Sequence, residues 1–515
     1  MPPHRASETR SFPWMTGLIM IGLIALYGAL LFNVARFSYN AWLSVLYPGE
    51  LDYAEGIVWQ QAKLIPGPRM YGDLQQYPFL VFHYPPLYHL VVNAAASLGG
   101  SWLAAGRVVS ILSLVATAVL TGMFVMEATG HSADRPRASL DAVRYASLTA
   151  GVTAGLLIFS LDPLRLWARV ARVDMLAGAL EVFGMFLGLR ALRRDGQLYG
   201  AAFVFVAALF TKQTVLMGAA ATFVVALLHD WRRALRAGLA AALLGAAVFA
   251  ALTIATDGGF PRHVILYNVN RFSLSYALAQ FRVLSEQNVQ PVYIVVAVAA
   301  FCALVVRGIM TGVRNLPVGA AIVAMYFALS TASLISLGKT GSNSNYFIPM
   351  ACAITMLIGL AISHAAKWAA SSSGYSIAFA LLLTVLAMQS FHIPPVGEQR
   401  LVDPTLRRES AELVAMIHAA KKPVVSEDMV MLMQAGKEVP WEPAIIRELG
   451  TKGLFDEQKL IDLITAHRFA FVVENDTPDN SLRDARFSRN VLDAFNSAYP
   501  ITKRLAGKLV LMTAY

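Results

Sequence analysis

The sequence predicts an α-helical polytopic membrane protein with about eleven spanning helices, followed by a small α/β domain. Three observations predict it. Of the 515 residues, 57% are hydrophobic and only 14% charged, with a mean hydropathy of +0.55, whereas a soluble globular chain holds about 25% charged residues. The apolar residues fall in long blocks near the roughly 17–25 residues that a bilayer-spanning helix needs. After about residue 392 the blocks stop, and short apolar runs alternate with charged stretches.

The first block runs from Trp14 to Phe32 behind Arg5 and Arg10 and continues into Asn33 and Arg36. A cleaved signal has an apolar core of about 7–15 residues, so this block reads as a retained signal-anchor helix. The predicted spans are 14–33, 102–126, 145–161, 174–191, 198–211, 213–229, 235–256, 291–306, 316–337, 345–364 and 375–391. Segment 86–98 is too short to span and reads as an interfacial or re-entrant helix. Cys302 and Cys352 each lie inside an apolar block without CxxC spacing, which favours two small buried side chains over a disulfide or metal site.

With a cytoplasmic N-terminus, the inside loops hold Arg135, Arg137, Arg144, Arg193, Arg194, Arg232, Arg233, Arg236, Arg307, Arg314 and Lys367. This is a positive-inside pattern, and it accounts for the net charge of +10 without a nucleic-acid partner. The outside then holds a large loop at 36–101, a short one at 162–173, a third at 257–290, and everything after 391. The expected organisation is a transmembrane domain over 1–391 and a soluble extracytoplasmic α/β domain over 392–515. In that second part, PVVSED, FAFVVE and GKLVLMTAY read as strands, and 405–420, 456–467 and 482–498 as amphipathic helices.

Five outside segments carry residues suited to chemistry. GELDYAEG places Glu50, Asp52 and Glu55 within six residues, and on a helix Asp52 and Glu55 would share a face. Carboxylates near membrane depth are costly unless paired or solvated, so they are candidates for function; the bland alternative is a solvated loop. HYPPLYH holds His83 and Tyr84 ahead of a proline elbow. DPLRLWARVARVDM places Arg165, Arg169 and Arg172 at i, i+4 and i+7, one helix face able to grip a phosphate, with Asp174 opening the next apolar block. TKQT holds Lys212 at a tight turn, where a lysine either snorkels or meets a lipid phosphate. GKTGSNSNYF offers Asn343, Asn345 and Tyr346, which suit sugar hydroxyls or plain helix capping. There is no GxxxxGK[ST], HExxH, GxSxG or Cys/His zinc cluster.

These pieces, in this order over about residues 1–390, resemble the GT-C-fold glycosyltransferases, in particular bacterial relatives of the protein O-mannosyltransferases and lipid A aminoarabinose transferases. The resemblance implies a polyprenyl-phosphate sugar donor in the bilayer and a glycan, lipid or protein acceptor. It implies a multi-pass protein of the inner membrane with its site on the outer face. Its acids would be Asp52, Glu50, Glu55 and Asp174, spaced in the first loop where the family usually has adjacent ones, so Asp52 and Glu50 both stand as the base. Arg169, Arg172 and Lys212 would meet the donor phosphate, and His83, Tyr84, Asn343, Asn345 and Tyr346 the substrates. On a metal the resemblance is silent: some relatives use a divalent ion such as Mg or Mn and others none. A transporter or flippase of lipid-linked sugars is the alternative, favoured by inverted repeats and broken midplane helices; the sequence has no repeat, and its polar motifs gather on one face. A non-catalytic scaffold would leave residues 50–55 far from Asp174.

Overall fold

The computed structural model describes residues 13–130, 137–268, 270–288, 290–369, 373–393, 401–476 and 481–513. Among them, nine helices are long and apolar enough to cross a membrane. Two shorter apolar helices, Tyr199–Leu209 and Met217–His229, fill the places of the two remaining predicted spans. Arg5, Arg10, Arg135 and the Pro394-Pro395 break lie outside the described residues.

The first ten helices are α1 (Pro13–Leu46), α2 (Glu55–Leu64), α3 (Leu87–Ser97), α4 (Trp102–Thr129), α5 (Arg137–Leu157), α6 (Asp162–Trp167), α7 (Asp174–Arg193), α8 (Tyr199–Leu209), α9 (Met217–His229) and α10 (Trp231–Ala255). The helix Ile348–Ala369 lies at the centre, packed on α4 and α5 and on the helices Pro291–Thr311, Val318–Ser333 and Ser373–Phe391. Its most apolar stretch is 72% buried, against 6% for that of α10, which therefore offers most of its apolar surface to the bilayer. Helices α4 and α5 approach closely through small residues: a Cβ at Gly122 would stand 2.9 Å from the Gly151 carbonyl oxygen. Small residues let membrane helices gain contact where no hydrophobic effect drives them together. Cys352 is buried as expected, but Cys302 is exposed, because its helix Pro291–Thr311 is only 17% buried and turns most of its side chains outward.

The two ends of the bundle differ. At one end Arg194 pairs with Glu127 at 3.1 Å, Lys367 donates to the Thr129 carbonyl at 3.0 Å, and Arg233 pairs with Asp230 at 3.1 Å. At the other lie the start of α7, the turn between α8 and α9, and residues 344–347, joined by the contacts described below.

The C-terminal part carries a four-stranded sheet in the order β1-β2-β4-β3, with β1 Val425–Ser426, β2 Phe471–Asn475, β3 Ile501–Leu505 and β4 Lys508–Met512. Strand β1 runs parallel to β2, and the other neighbours are antiparallel. Strand β3 was not foreseen, since its exposed ITKRL lacks an apolar run; it pairs with β4 through Ala506-Gly507, both at positive φ, the geometry of a tight hairpin. The predicted helix 482–498 is two helices, Ser481–Arg486 and Arg489–Ala498, because Ser488 caps the second by accepting from the Val491 N–H.

This part does not close its core alone. One apolar cluster joins Leu74, Phe79 and Val81 of the first loop to Trp441, Phe469 and Phe495. A second joins Ile57, Ile65 and Phe82 to Val424, Met429 and Val473. Gln60 brackets the backbone of Val439, Phe79 N–H donates to the Pro440 carbonyl at 2.8 Å, and Tyr53 Oη accepts from the Ala444 N–H at 3.2 Å. The closest approach is at Gly56, where an added Cβ would lie 2.3 Å from the Met429 carbonyl carbon. We expect Gly56→Ala to weaken this docking by roughly 1–3 kcal/mol, the cost of overpacking. Thermal unfolding of the purified chain, with Gly17→Ala as the control that meets nothing within 4 Å, measures it.

Candidate active site

The acidic turn sits between α1 and α2. The Glu55 N–H donates to the Asp52 carbonyl at 3.0 Å, and Asp52 Oδ2 accepts from the Ala54 N–H at 3.2 Å, so the turn is locked by its own backbone. The three acids part company there.

Glu55 points inward and takes a structural part. It and Arg107 of α4 are fully buried, paired at 2.9 Å (Nε–Oε1) and 2.7 Å (Nη2–Oε2). Glu55 also accepts from the Leu51 and Ala171 N–H groups, each at 2.8 Å. Arg107 reaches further, donating to the carbonyls of Ser44 (2.7 Å), Tyr47 (2.5 Å) and Gly49 (2.7 Å). One ion pair thus ties α1, the acidic turn and the segment before α7 to α4.

Glu50 turns toward the C-terminal part. Burial, with Asp428 next, raises its pKa well above the usual carboxylate range. Lys508, whose Nζ lies 3.1 Å from Asp428 Oδ2, pulls the other way.

Asp52 faces the bundle end. Its Oδ2 accepts from Arg172 Nη1 at 2.8 Å. Burial raises its pKa, Arg172 opposes that, and Glu55 adds to it. Arg172 also donates to Tyr84 Oη at 3.2 Å, and its guanidinium lies 5.6 Å from the Trp167 ring centroid. The Arg172 pKa stands raised: burial lowers it, and Tyr84 and Asp52 more than offset that.

Asp174, the first residue of α7, receives Lys212 Nζ at 2.6 Å and Asn345 Nδ2 at 2.8 Å, both on Oδ1. Its Oδ2 stands 3.9 Å from Arg172 Nε, beyond hydrogen-bond reach. Among the described residues, neither that oxygen nor that nitrogen has a hydrogen-bond partner, and the same holds for Asn345 Oδ1 and Gln213 Oε1. Lys212 lies 5.5 Å from the centroid of the Tyr346 ring. The result is a continuous file, Asp52–Arg172–Asp174–Lys212, with Tyr84, Asn345 and Tyr346 along it.

Other expectations need correction. Arg165, Arg169 and Arg172 do not share one helix face, because α6 ends at Trp167. Arg165 pairs with Asp162 on its own short helix, Arg169 is buried in the following turn, and Arg172 reaches Asp52 and Asp174. Asn343 is exposed and accepts from the Ser344 N–H at 2.7 Å, the capping part. His83 is present: its carbonyl accepts from Gln213 at 2.8 Å, and its Nδ1 stands 3.9 Å from Glu442. Burial, with His263 and then Arg172, lowers its pKa to about 3, so the ring is neutral.

Sequence reasoning missed Arg107 and Glu442. The first had a signal, a lone charge inside an apolar block. The second lies in a segment that looks like any exposed loop. Among the described residues, no three His, Cys, Asp or Glu side chains are grouped to hold a metal ion. Asp52 and Asp174 each face a side-chain cation already, so this donor set fits a divalent metal poorly.

No family model and no curated protein matches the sequence. Solved structures do match in shape. ArnT from Cupriavidus metallidurans in the apo state aligns at TM-score 0.56 and 16% identity, over 94% of this chain and 98% of that one. The same protein bound to undecaprenyl phosphate aligns at 0.52 and 15%, over 97% of each. The oligosaccharyltransferase of Archaeoglobus fulgidus in the apo form aligns at 0.52 and 12%, over 94% of this chain and 72% of that one. At such identities the likeness is one of fold, and that fold is GT-C, the architecture of membrane glycosyltransferases.

Proposed function

We propose that this chain is a membrane glycosyltransferase that moves a sugar from a polyprenyl-phosphate donor to an acceptor hydroxyl, with inversion, on the extracytoplasmic face. The observation that carries the reading is the file of Asp52, Arg172, Asp174 and Lys212, drawn from three separate stretches of chain to one end of the bundle. A scaffold would have no need of that convergence, and a transporter would place such charges near the midplane. The GT-C fold and the bound undecaprenyl phosphate of one structural neighbour support the donor class. The basic opposite end supports a cytoplasmic assignment for that end, and so an outer site.

In this reading Asp52 is the base, since it is the acid of the turn that faces the file. The acceptor hydroxyl gives its proton to Asp52, and its oxygen bonds to the anomeric carbon. The bond from that carbon to the phosphate oxygen breaks on the opposite face, and its electron pair leaves with the polyprenyl phosphate. Arg172 and Lys212 offset the charge that develops there, in a site where fixed dipoles act strongly. Asp174 holds Lys212 in place and faces Arg172. No step is assigned to a metal.

The test is transfer by the purified chain from a panel of undecaprenyl-phosphate sugars, with and without EDTA. We expect turnover of at least one donor, an inverted anomeric centre in the product, and rates within about twofold with the chelator, as no step here needs Lewis-acid help. Failure to turn over any polyprenyl-phosphate sugar would sink the proposal.

A further inference from the structure

Glu442 has no role in the scheme above, yet its place is closely fixed. The residues on either side are docked on the first loop. Val439 is held by Gln60, Pro440 by the Phe79 N–H, Trp441 by a parallel bridge to Phe79, and Ala444 by Tyr53. Between these anchors Glu442 occupies the N-cap position of the helix Pro443–Thr451, but its side chain makes no capping hydrogen bond. Capping is the usual work of a polar side chain there. Instead the carboxyl, 11% exposed, turns to His83, 3.9 Å away. Among the described residues its carboxyl accepts no hydrogen bond, and it keeps some exposure rather than being sealed in the core.

The surroundings indicate what it faces. Arg172, Arg486 and Asp52 are the charged groups acting on it, and His83 is the neutral neighbour. Arg486 in turn lies over the Tyr53 ring at 3.6 Å. Arg172 faces Glu442 as well as Asp52 and Asp174, and so links Glu442 to the Asp174–Lys212 end. If the phosphate sits at Lys212, an attacking group comes from the other side of Asp52, where the C-terminal part forms the wall.

We infer that Glu442 binds the acceptor: its carboxyl hydrogen-bonds a hydroxyl of a polyhydroxylated acceptor while a neighbouring hydroxyl meets Asp52. The inference rests on the glycosyltransferase reading above. It makes the C-terminal part a determinant of acceptor choice as well as a cover. Burial raises the Glu442 pKa to about 7, against the pull of Arg172, so near neutral pH the group is able both to donate and to accept, as a sugar hydroxyl does.

The experiment is a competition between two nucleophiles. The purified full chain is given the undecaprenyl-phosphate sugar that it turns over, in water containing glycerol at molar concentration. Glyceryl glycoside and free sugar are then measured together. Their ratio does not depend on how much of a variant is folded. The wild type is expected to favour glycerol over water per molecule. Glu442→Ala lowers that ratio about tenfold, and Glu442→Gln, which keeps the shape and the hydrogen-bonding groups, holds it within about threefold. An unchanged ratio in Glu442→Ala, with donor still consumed, overturns the inference and leaves the glycosyltransferase reading standing. A ratio lost equally in Glu442→Gln also overturns it, assigning the effect to charge. If the wild type consumes no undecaprenyl-phosphate sugar at all, the reading beneath it fails as well.

Discussion

Asp52→Asn is expected to lower transfer by about 10²–10⁴-fold, the range lost with a general base, while binding of undecaprenyl phosphate changes by less than about threefold. The reasoning is geometric. Asp52 Oδ2 receives the Arg172 guanidinium at 2.8 Å and the Ala54 N–H at 3.2 Å, and an amide oxygen retains both partners. The substitution removes the proton acceptor and little else. Activity in the wild type is also expected to fall as pH drops through the Asp52 pKa, which burial holds above the usual value. A base works only when ionised, so the loss lies on the acid side. Transfer rates against pH for the two proteins, with lipid binding measured in parallel, check this. Full activity in Asp52→Asn would remove Asp52 from the mechanism, leaving Glu50, which faces the C-terminal part, as the acid to examine.

The largest effect on stability is expected at Arg107. Its partner Glu55 and Arg107 itself are both at 0% side-chain exposure, and the guanidinium also reaches three backbone carbonyls. Arg107→Met leaves a buried carboxylate without its counter-ion, which costs about 3–5 kcal/mol. Adding Glu55→Gln removes the stranded charge and is expected to recover part of that loss, although the Ser44, Tyr47 and Gly49 carbonyls stay unanswered. Thermal unfolding of the single and double variants measures both. If Arg107→Met melted with the wild type, the ion pair would not be what holds the acidic turn.

Much of this architecture was legible in the sequence, for a physical reason. A spanning helix must satisfy its backbone internally and meet lipid with apolar side chains, so it leaves a long, unambiguous block. Helices α8 and α9 fell within predicted blocks even though they run only from Tyr199 to Leu209 and from Met217 to His229. Asp52, Asp174 and Lys212 stood out because charge next to such blocks is rare. What failed were readings that depend on local geometry. The arginine face assumed one helix through 165–172, and nothing in the periodicity shows that α6 ends at Trp167. Glu55 was grouped with Asp52 because both are acids, and only the fold separates an inward carboxylate from an outward one. Glu442 was invisible because its partners, His83 and Arg172, lie more than two hundred residues away in the chain.

The shared core of the first loop and the C-terminal part has a consequence for how this protein is made and how it changes. The acidic turn leaves the ribosome well before the C-terminal surfaces that close over Ile57, Phe79 and Phe82, which come from residues 413 onward. The proposed site therefore stays unfinished until that later part has emerged. For the same reason, grafting the tail of one such protein onto another would carry a working cleft only if the 47–86 segment travelled with it, since the two halves of one interior are inherited together.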